Sequence, residues 1–253
     1  MKRIELPDRI FGKNTNEALE RVLNGETQVS APEQEQQNPT NVSDLKLKGF
    51  FYVPHAGIWI AKKRSLDKES WNSTIKQIYE KGFDAEGQRA EMPTPLEFMS
   101  GLIYALDNKN IPNLTEKERA EFLDDVLKTG DYRGNHLNAR FGDNVVETAT
   151  IENGNLKWKS KPLEPCLGKN CYADIRKINS QGLLTTEATN QSYVQGETTY
   201  FWKPVSGCVA RFVALSDWAL LYCSGDAGLS DPSLGVRLVV RPKGASAKIG
   251  GKS

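Results

Sequence analysis

Histidine is scarce in this chain: there are two copies in 253 residues, beside three methionines and four cysteines. A Ser-His-Asp or Cys-His catalyst would have to use His55 or His136. Neither stands beside a nucleophile motif, since His55 sits in Pro54-His55-Ala56-Gly57 and His136 follows Arg133-Gly134-Asn135. H-E-x-x-H, G-x-S-x-G, the P-loop and G-x-G-x-x-G are all missing. No catalytic residue, metal ligand or cofactor is therefore assigned. Excess charge is missing too. The balance of 33 Lys plus Arg against 32 Asp plus Glu leaves a formal +1, which supplies no field to attract nucleic acid or an anionic membrane. No apolar run approaches the ~20 residues of a membrane helix, and no apolar stretch follows Met1-Lys2-Arg3, so neither membrane insertion nor a secretory signal is expected.

What is present is 38% hydrophobic, 26% charged and 9% aromatic residues, a globular mixture able to bury one large core or two small ones. Cys166 and Cys171 are separated by four residues, Cys208 and Cys223 by fourteen. That spacing matches paired zinc knuckles poorly. Buried or loop thiols, a disulfide within either pair, and a metal site all stay open.

The organisation is uneven. Asn14 and Glu17 form a capping box ahead of Ala18, Leu19, Val22 and Leu23, with Asn24-Gly25 as a stop, which predicts a short helix. Glu26 to Asp44 is polar and reads as a linker, so residues 1–44 form an arm and the compact domain begins near Leu45. Phe50–Val53 and Ile58–Ile60 predict two strands around a turn. Trp71, Ile75, Ile78 and Tyr79 predict a helix ending at Gly82. Thr94 with Glu97, and Thr115 with Glu118, are capping boxes opening two further helices, with Pro95 at the first helical position of one. Beyond Asp131 strands are expected: Val146, Thr148 and Thr150 facing one way, Asn153-Gly154 as a hairpin turn, then Leu156 and Trp158. Tyr200–Lys203, Val209–Ala214, Ala219–Cys223 and Gly235–Arg241 follow, and 243–253 is a Gly/Ser/Lys-rich tail. Helices first and strands later make the class α+β.

The segment from Val209 to Cys223 carries the most information. Ala219, Leu221 and Cys223 share one face of a strand, while Trp218, Leu220, Tyr222 and Ser224 share the other. That second face is either buried or offered to a partner, Trp and Tyr being common anchors of binding surfaces. Composition alone favours burial.

Ser206-Gly207-Cys208-Val209-Ala210-Arg211-Phe212, followed by Ser230-Asp231-Pro232-Ser233-Leu234-Gly235-Val236-Arg237-Leu238, resembles the C-terminal variable region of proteins diversified by retroelements. Gly235-Val236-Arg237 matches their terminal Gly-Phe-Arg or Gly-Val-Arg motif. Arg89-Ala90-Glu91-Met92-Pro93-Thr94-Pro95-Leu96-Glu97-Phe98 is similar to the helix opening of the wider family. The likeness spans 45–242 and is similar to the archaeal and candidate-phylum members. It implies a C-type lectin fold of the formylglycine-generating-enzyme type, with a variable region at about 209–237. Ala210, Arg211, Phe212, Ala214, Ala219, Leu221, Cys223 and Ser230 to Arg237 would be framework, Arg237 being satisfied by backbone carbonyls. Val213, Leu215, Asp217, Trp218, Leu220, Tyr222, Ser224, Gly225, Ala227, Gly228 and Leu229 would be displayed to a ligand. This reverses the preference for burial. The implied function is recognition of a protein or cell-surface ligand, without chemistry, cofactor or metal, on a virion or cell surface. The ligand and the oligomeric state stay open. Two alternatives come with it: a copper oxidase of the formylglycine-generating type using Cys208 and Cys223, although no matching motif surrounds them, and an invariant adhesive surface protein.

Overall fold

The computed structural model describes Arg9–Ile10, Lys13–Asn14 and residues 47–241. The chain divides into two compact units, Met1–Thr40 and Asn41–Ser253. In the first, β1 (Arg9–Ile10) pairs antiparallel with β2 (Lys13–Asn14). Asn14, expected to cap a helix, lies in that strand. The rest of the expected helix, the whole linker over 26–44 and the tail fall outside the described residues.

The second unit is mixed α+β, mostly sheet with few helices. Five strands form one sheet: β3 (Phe50–Val53), β4 (Ile58–Ala61), β5 (Asp84–Ala85), β6 (Gln88–Glu91) and β15 (Val239–Val240), in the order β3-β4-β15-β6-β5. Phe51, Val53, Ile58, Ile60 and Val239 pack into one core. Phe50, Trp59, Ala61, Ala90 and Val240 pack into a second. Burial on both faces explains why Ile58-Trp59-Ile60 shows no polar alternation. The larger sheet runs β10 (Cys171–Asp174), β11 (Thr198–Trp202), β13 (Ala219–Gly225), β12 (Val209–Ala214), β7 (Arg133–Gly142), β8 (Val145–Glu152), β9 (Asn155–Pro162). A two-residue strand, β14 (Leu234–Gly235), lies parallel to β7. β11 and β13 are also parallel, and the other neighbours along this order are antiparallel.

Helices α2 (Pro95–Asp107) and α3 (Glu116–Leu127) cover the inner face of this sheet. Both open on the expected capping boxes. The Thr94 amide donates to Glu97 Oε2 at 2.8 Å, and the Thr115 amide donates to Glu118 Oε2 at 2.9 Å. Phe98 packs against Phe212, with ring centroids 5.3 Å apart, and Phe51 meets Phe122 edge-on at 5.1 Å. Among the described residues no helix is long and apolar enough to cross a membrane.

Several local expectations need correction. The helix over Trp71–Tyr79 is α-helical only as α1 (Trp71–Ile75), then widens into a π-turn over Lys76–Glu80. On β8 the buried side chains are Val146 and Ala149, while Thr148 and Thr150 are half-buried. The β7–β8 ladder ends at Arg140↔Glu147, and the Asn138 side chain replaces it. Its Nδ2 donates to the Ala149 carbonyl at 2.8 Å and its Oδ1 accepts from the Ala149 amide at 2.7 Å. The expected strand Gly235–Arg241 is instead two short strands in different sheets, β14 and β15, bridged by Val236 and Leu238, which bond to Ser65 and Ala61. Tyr200–Lys203 is realised as Thr198–Trp202, and β5, β6, β7 and β10 had no sequence expectation.

The end of the described chain is fastened to the first turn of α2. Arg241 Nε donates to Glu97 Oε1 at 2.7 Å and its Nη2 to Oε2 at 2.7 Å. Burial alone would raise the Glu97 carboxyl, but the Arg241 charge and the Thr94 donors outweigh it and hold the group below its ordinary range. Thr94→Ala removes only a cap and is expected to cost about 1 kcal/mol. Glu97→Gln also strips Arg241 of its bidentate partner and is expected to cost more, about 3 kcal/mol. Urea denaturation of the two variants measures the difference.

Candidate ligand-binding surface

Alternation along the strands sorts the variable-like segment into two faces. Ala210, Phe212, Ala214, Ala219, Leu221 and Cys223 point into the core under α2 and α3. Arg211, Val213, Leu220 and Tyr222 point the other way, with Arg211 paired opposite Tyr222 and Val213 opposite Leu220. On the neighbouring strand Phe201 is inward, while Tyr200 and Trp202 stand beside Leu220 and Tyr222. Tyr172 on β10 extends the row beside Tyr200.

The outer face is thus aromatic across three strands. Tyr172 and Tyr200 meet at 4.9 Å and 84°, Trp202 and Tyr222 at 5.4 Å and 80°, and Tyr200 and Trp218 at 5.9 Å and 33°. At its centre a concavity of about 210 Å³ is lined by Tyr132, Trp202, Val213, Leu215, Trp218, Leu220 and Tyr222. Val213 and Leu220 are 3% and 4% exposed and form its floor. Leu215, Trp218 and Tyr222 are half-buried walls, and Trp202, 38% exposed, closes one side. The turn that carries Leu215 and Trp218 is closed by a 2.8 Å bond from the Leu215 amide to the Trp218 carbonyl.

Five of the expected display positions therefore converge. The others lie outside the concavity. Asp217 is exposed in the turn beside Trp218, and Gly228 and Leu229 are exposed further along, Leu229 at 46%. Ser224 is half-buried with its Oγ enclosed, and Ala227 packs against the second core while its carbonyl accepts from the Asn72 amide at 3.1 Å. Gly225 is buried where a Cβ would meet the Val209 carbonyl at 3.1 Å and Arg211 Nε at 3.3 Å. Its place is one of packing and leaves no room for a side chain. Tyr132 and Trp202 were not singled out from sequence. Trp202 had a signal, since it alternates with Tyr200 on an expected strand.

Beneath the concavity lie two buried polar side chains, paired across β12 and β7 at Arg211↔His136. Arg211 is 1% exposed and its Nη2 donates to the Asp226 carbonyl. His136 Nε2 donates to the Glu69 carbonyl at 3.0 Å. Burial, assisted by the Arg211 charge and partly offset by the Glu69 bond, pushes His136 down to about 4.

Arg237 is fully buried away from this surface. It donates to the Ala61 and Lys62 carbonyls and pairs with Asp125. The four cysteines are free thiols, Cys171 and Cys223 buried, Cys166 and Cys208 half-buried. Burial raises the Cys223 thiol well above its ordinary value. Among the described residues no group of three or more His, Cys, Asp or Glu is placed to hold a metal ion. The fold and surface together define an α+β protein with an aromatic concavity on the outer face of its larger sheet. Comparison with protein-family models, curated proteins and solved structures gives no match.

His136 sets an acid limit on this region. In the unfolded chain it takes up a proton below about 6.5, whereas in the fold it stays neutral to about 4. The unfolded state therefore binds more protons within that window, so stability is full above pH 6.5 and declines as pH falls toward 4. The decline amounts to at most about 3 kcal/mol. Urea unfolding between pH 7 and 5, above the range where the depressed carboxylates of Glu97 and Glu118 contribute, should show the slope, and His136→Gln should remove it.

Proposed function

We propose that this chain is a retroelement-diversified display protein, built on a C-type lectin fold of the formylglycine-generating-enzyme type, that binds a protein or surface ligand through side chains on a rigid frame. The observation that carries this reading is the sorting of residues in Val209–Gly225. Those expected as framework (Ala210, Phe212, Ala214, Ala219, Leu221, Cys223) are at most 1% exposed on the core side. Val213, Leu215, Trp218, Leu220 and Tyr222, expected as displayed, meet in one concavity. Such a division allows the half-buried walls Leu215, Trp218 and Tyr222 to vary while the core side keeps the fold, because substitution there removes few core contacts; the floor residues Val213 and Leu220 are nearly enclosed. Aromatic walls supply large rigid contact area at low entropic cost. The oxidase alternative gains no support, since Cys223 is enclosed in the core with its thiol held in the protonated form and thiolate is the metal-binding species.

Two measurements test the reading. Replacing Leu215, Trp218 and Tyr222 together with Ser should leave the melting temperature within a few degrees, as expected for walls and not for core. Phe212→Ala should cost about 4 kcal/mol. In populations carrying the gene, substitutions should concentrate at codons of the outer-face positions, with a reverse-transcriptase gene and a template repeat nearby. Variation spread evenly over 209–237 overturns the proposal.

A further inference from the structure

The concavity is a cup and not a platform. Of the rings that line it, Trp202 and Tyr222 stand nearly perpendicular, at 80°; Tyr172 and Tyr200, at 84° to each other, lie beside it on the same face. Perpendicular rings present walls around a small guest, whereas stacking on a flat sugar ring or a base needs one open coplanar face. Ring faces carry negative potential and attract a cation held within about 6 Å of their centroids. The surroundings of the cup reinforce that sign. Asp217 is exposed in the turn beside Trp218, and its charge reaches Tyr172, whose hydroxyl is raised by burial, by Tyr200 and by Asp217. On the opposite flank Asp231 acts on Tyr132, whose hydroxyl is raised by burial and then by that carboxylate. Asp226 lies on the segment that follows β13.

Among the described residues none of these three carboxylates stands in an ion pair. Asp226 and Asp231 accept local amide bonds from Gly228 and Ser233, and Asp217 accepts from the Ser216 hydroxyl. Arg211, packed beneath, offsets part of this negative field, but it is 1% exposed and its Nη2 is committed to the Asp226 carbonyl. The exposed base next to the cup in sequence is Lys203, which follows Trp202. Arg133, which follows Tyr132, is half-buried and donates to the Asp124, Asp125 and Asp131 carbonyls, so among the described residues Lys203 is the exposed cation set against three carboxylates free of ion pairs.

We propose that the aromatic cup receives an arginine or lysine side chain from a protein partner, held by the faces of Trp202, Trp218, Tyr222 and Tyr132 and oriented by Asp217, Asp226 and Asp231. This rests on the display reading above and names the ligand chemistry for this chain's own set of outer-face residues. A volume of about 210 Å³ suits one long side chain and not a folded element, so the cup would serve as the central anchor of a wider contact.

The full chain is immobilised and titrated with oligoarginine, with oligoglutamine of equal length and with a neutral glucan oligosaccharide. Oligoarginine should bind and the other two should not. Trp202→Ser and, separately, Trp218→Ser with Tyr222→Ser should each weaken oligoarginine about tenfold at unchanged melting temperature. Asp217→Asn with Asp231→Asn should weaken it about threefold at low salt and less as salt rises. Oligoarginine binding that survives loss of the aromatics but disappears with the carboxylates is charge attraction alone and overturns the cup. Preference for the glucan, or no binding of oligoarginine, overturns the cationic ligand. In those cases a stable Leu215/Trp218/Tyr222→Ser variant leaves the display reading standing, whereas its collapse shows that the display reading itself has failed.

Discussion

The contact on which the architecture turns is the buried guanidinium of Arg237. It lies in the segment that leaves the larger sheet at β14 and enters the smaller sheet at β15, so whatever holds it registers the two sheets to each other. Its partners come from two places: the carbonyls of Ala61 and Lys62 at the end of β4, and α3, which gives the Asp125 carboxylate and the face of Phe122, 4.5 Å from the guanidinium carbon. Burying an unpaired arginine would cost several kcal/mol. Burial does push Arg237 down to about 10, the Asp125 charge offsetting part of it, so the group stays charged at neutral pH; Nη1 and Nη2 find acceptors, while the enclosed Nε has none among the described residues. Gly235 makes the approach possible, since a Cβ there would strike Asp67 and sit 3.0 Å from the Ser65 carbonyl. The Gly-Val-Arg triplet thus has a mechanical meaning: glycine lets the strand come close, valine fills the second core, and arginine locks the crossing.

Asp125 extends that lock toward the concavity. It also accepts from Arg64 Nε at 3.2 Å, and Arg64 in turn donates to the Ser233 carbonyl at 2.6 Å. Arg133 donates to the carbonyls of Asp124, Asp125 and Asp131, closing the C-terminal end of α3 where carbonyls lack helical partners. Arg133 is also the first residue of β7, and Tyr132 immediately before it lines the cup. The C-terminal turn of α3, through the Asp124 and Asp125 carbonyls and an Asp125 carboxylate 3.9 Å from Arg133 Nε, therefore holds the start of the strand that supports β12 and, next to it, the residue that walls one side of the concavity. The outer-face side chains are presented by strands whose positions are settled elsewhere, the arrangement a precise contact needs.

What could be read from the sequence was local. Both capping boxes are self-contained within four residues and formed as expected, because their donors and acceptors are neighbours in the chain. The strands Val209–Ala214 and Phe50–Val53 were legible because their apolar runs match burial. β7, the centre of the larger sheet, was not, because Asn135, His136 and Asn138 are polar and yet buried. Asn138 is spent on the Ala149 peptide and the Tyr79 hydroxyl, and His136 on the Glu69 carbonyl. Those partners lie far along the chain, and polarity misleads wherever a distant group satisfies it. The cup was half legible for the same reason. Its floor and three walls come from one hairpin, whereas Tyr132, just before β7, and Trp202, on β11, arrive through pairings that no local pattern reveals.

Arg211 marks the boundary between frame and display more sharply than any apolar residue. It belongs to the outer face by alternation, yet it is enclosed, and its hydrogen bond to the Asp226 carbonyl ties down the segment that leaves β13. Gly225 is small because Arg211 Nε and Cδ occupy the space a side chain would need, at 3.3 and 3.4 Å from a would-be Cβ. Burial lowers Arg211 from its ordinary value while Tyr132, Tyr222, Asp226 and Asp231 draw it back. Two of those groups wall the cup and two are carboxylates near it, so the buried cation moderates their field. The cationic side chain proposed above would meet carboxylates held by local bonds from Ser216, Gly228 and Ser233. Its binding is then decided by the ring faces, whose attraction is short-ranged and geometric, and less by net charge, which the chain as a whole does not carry.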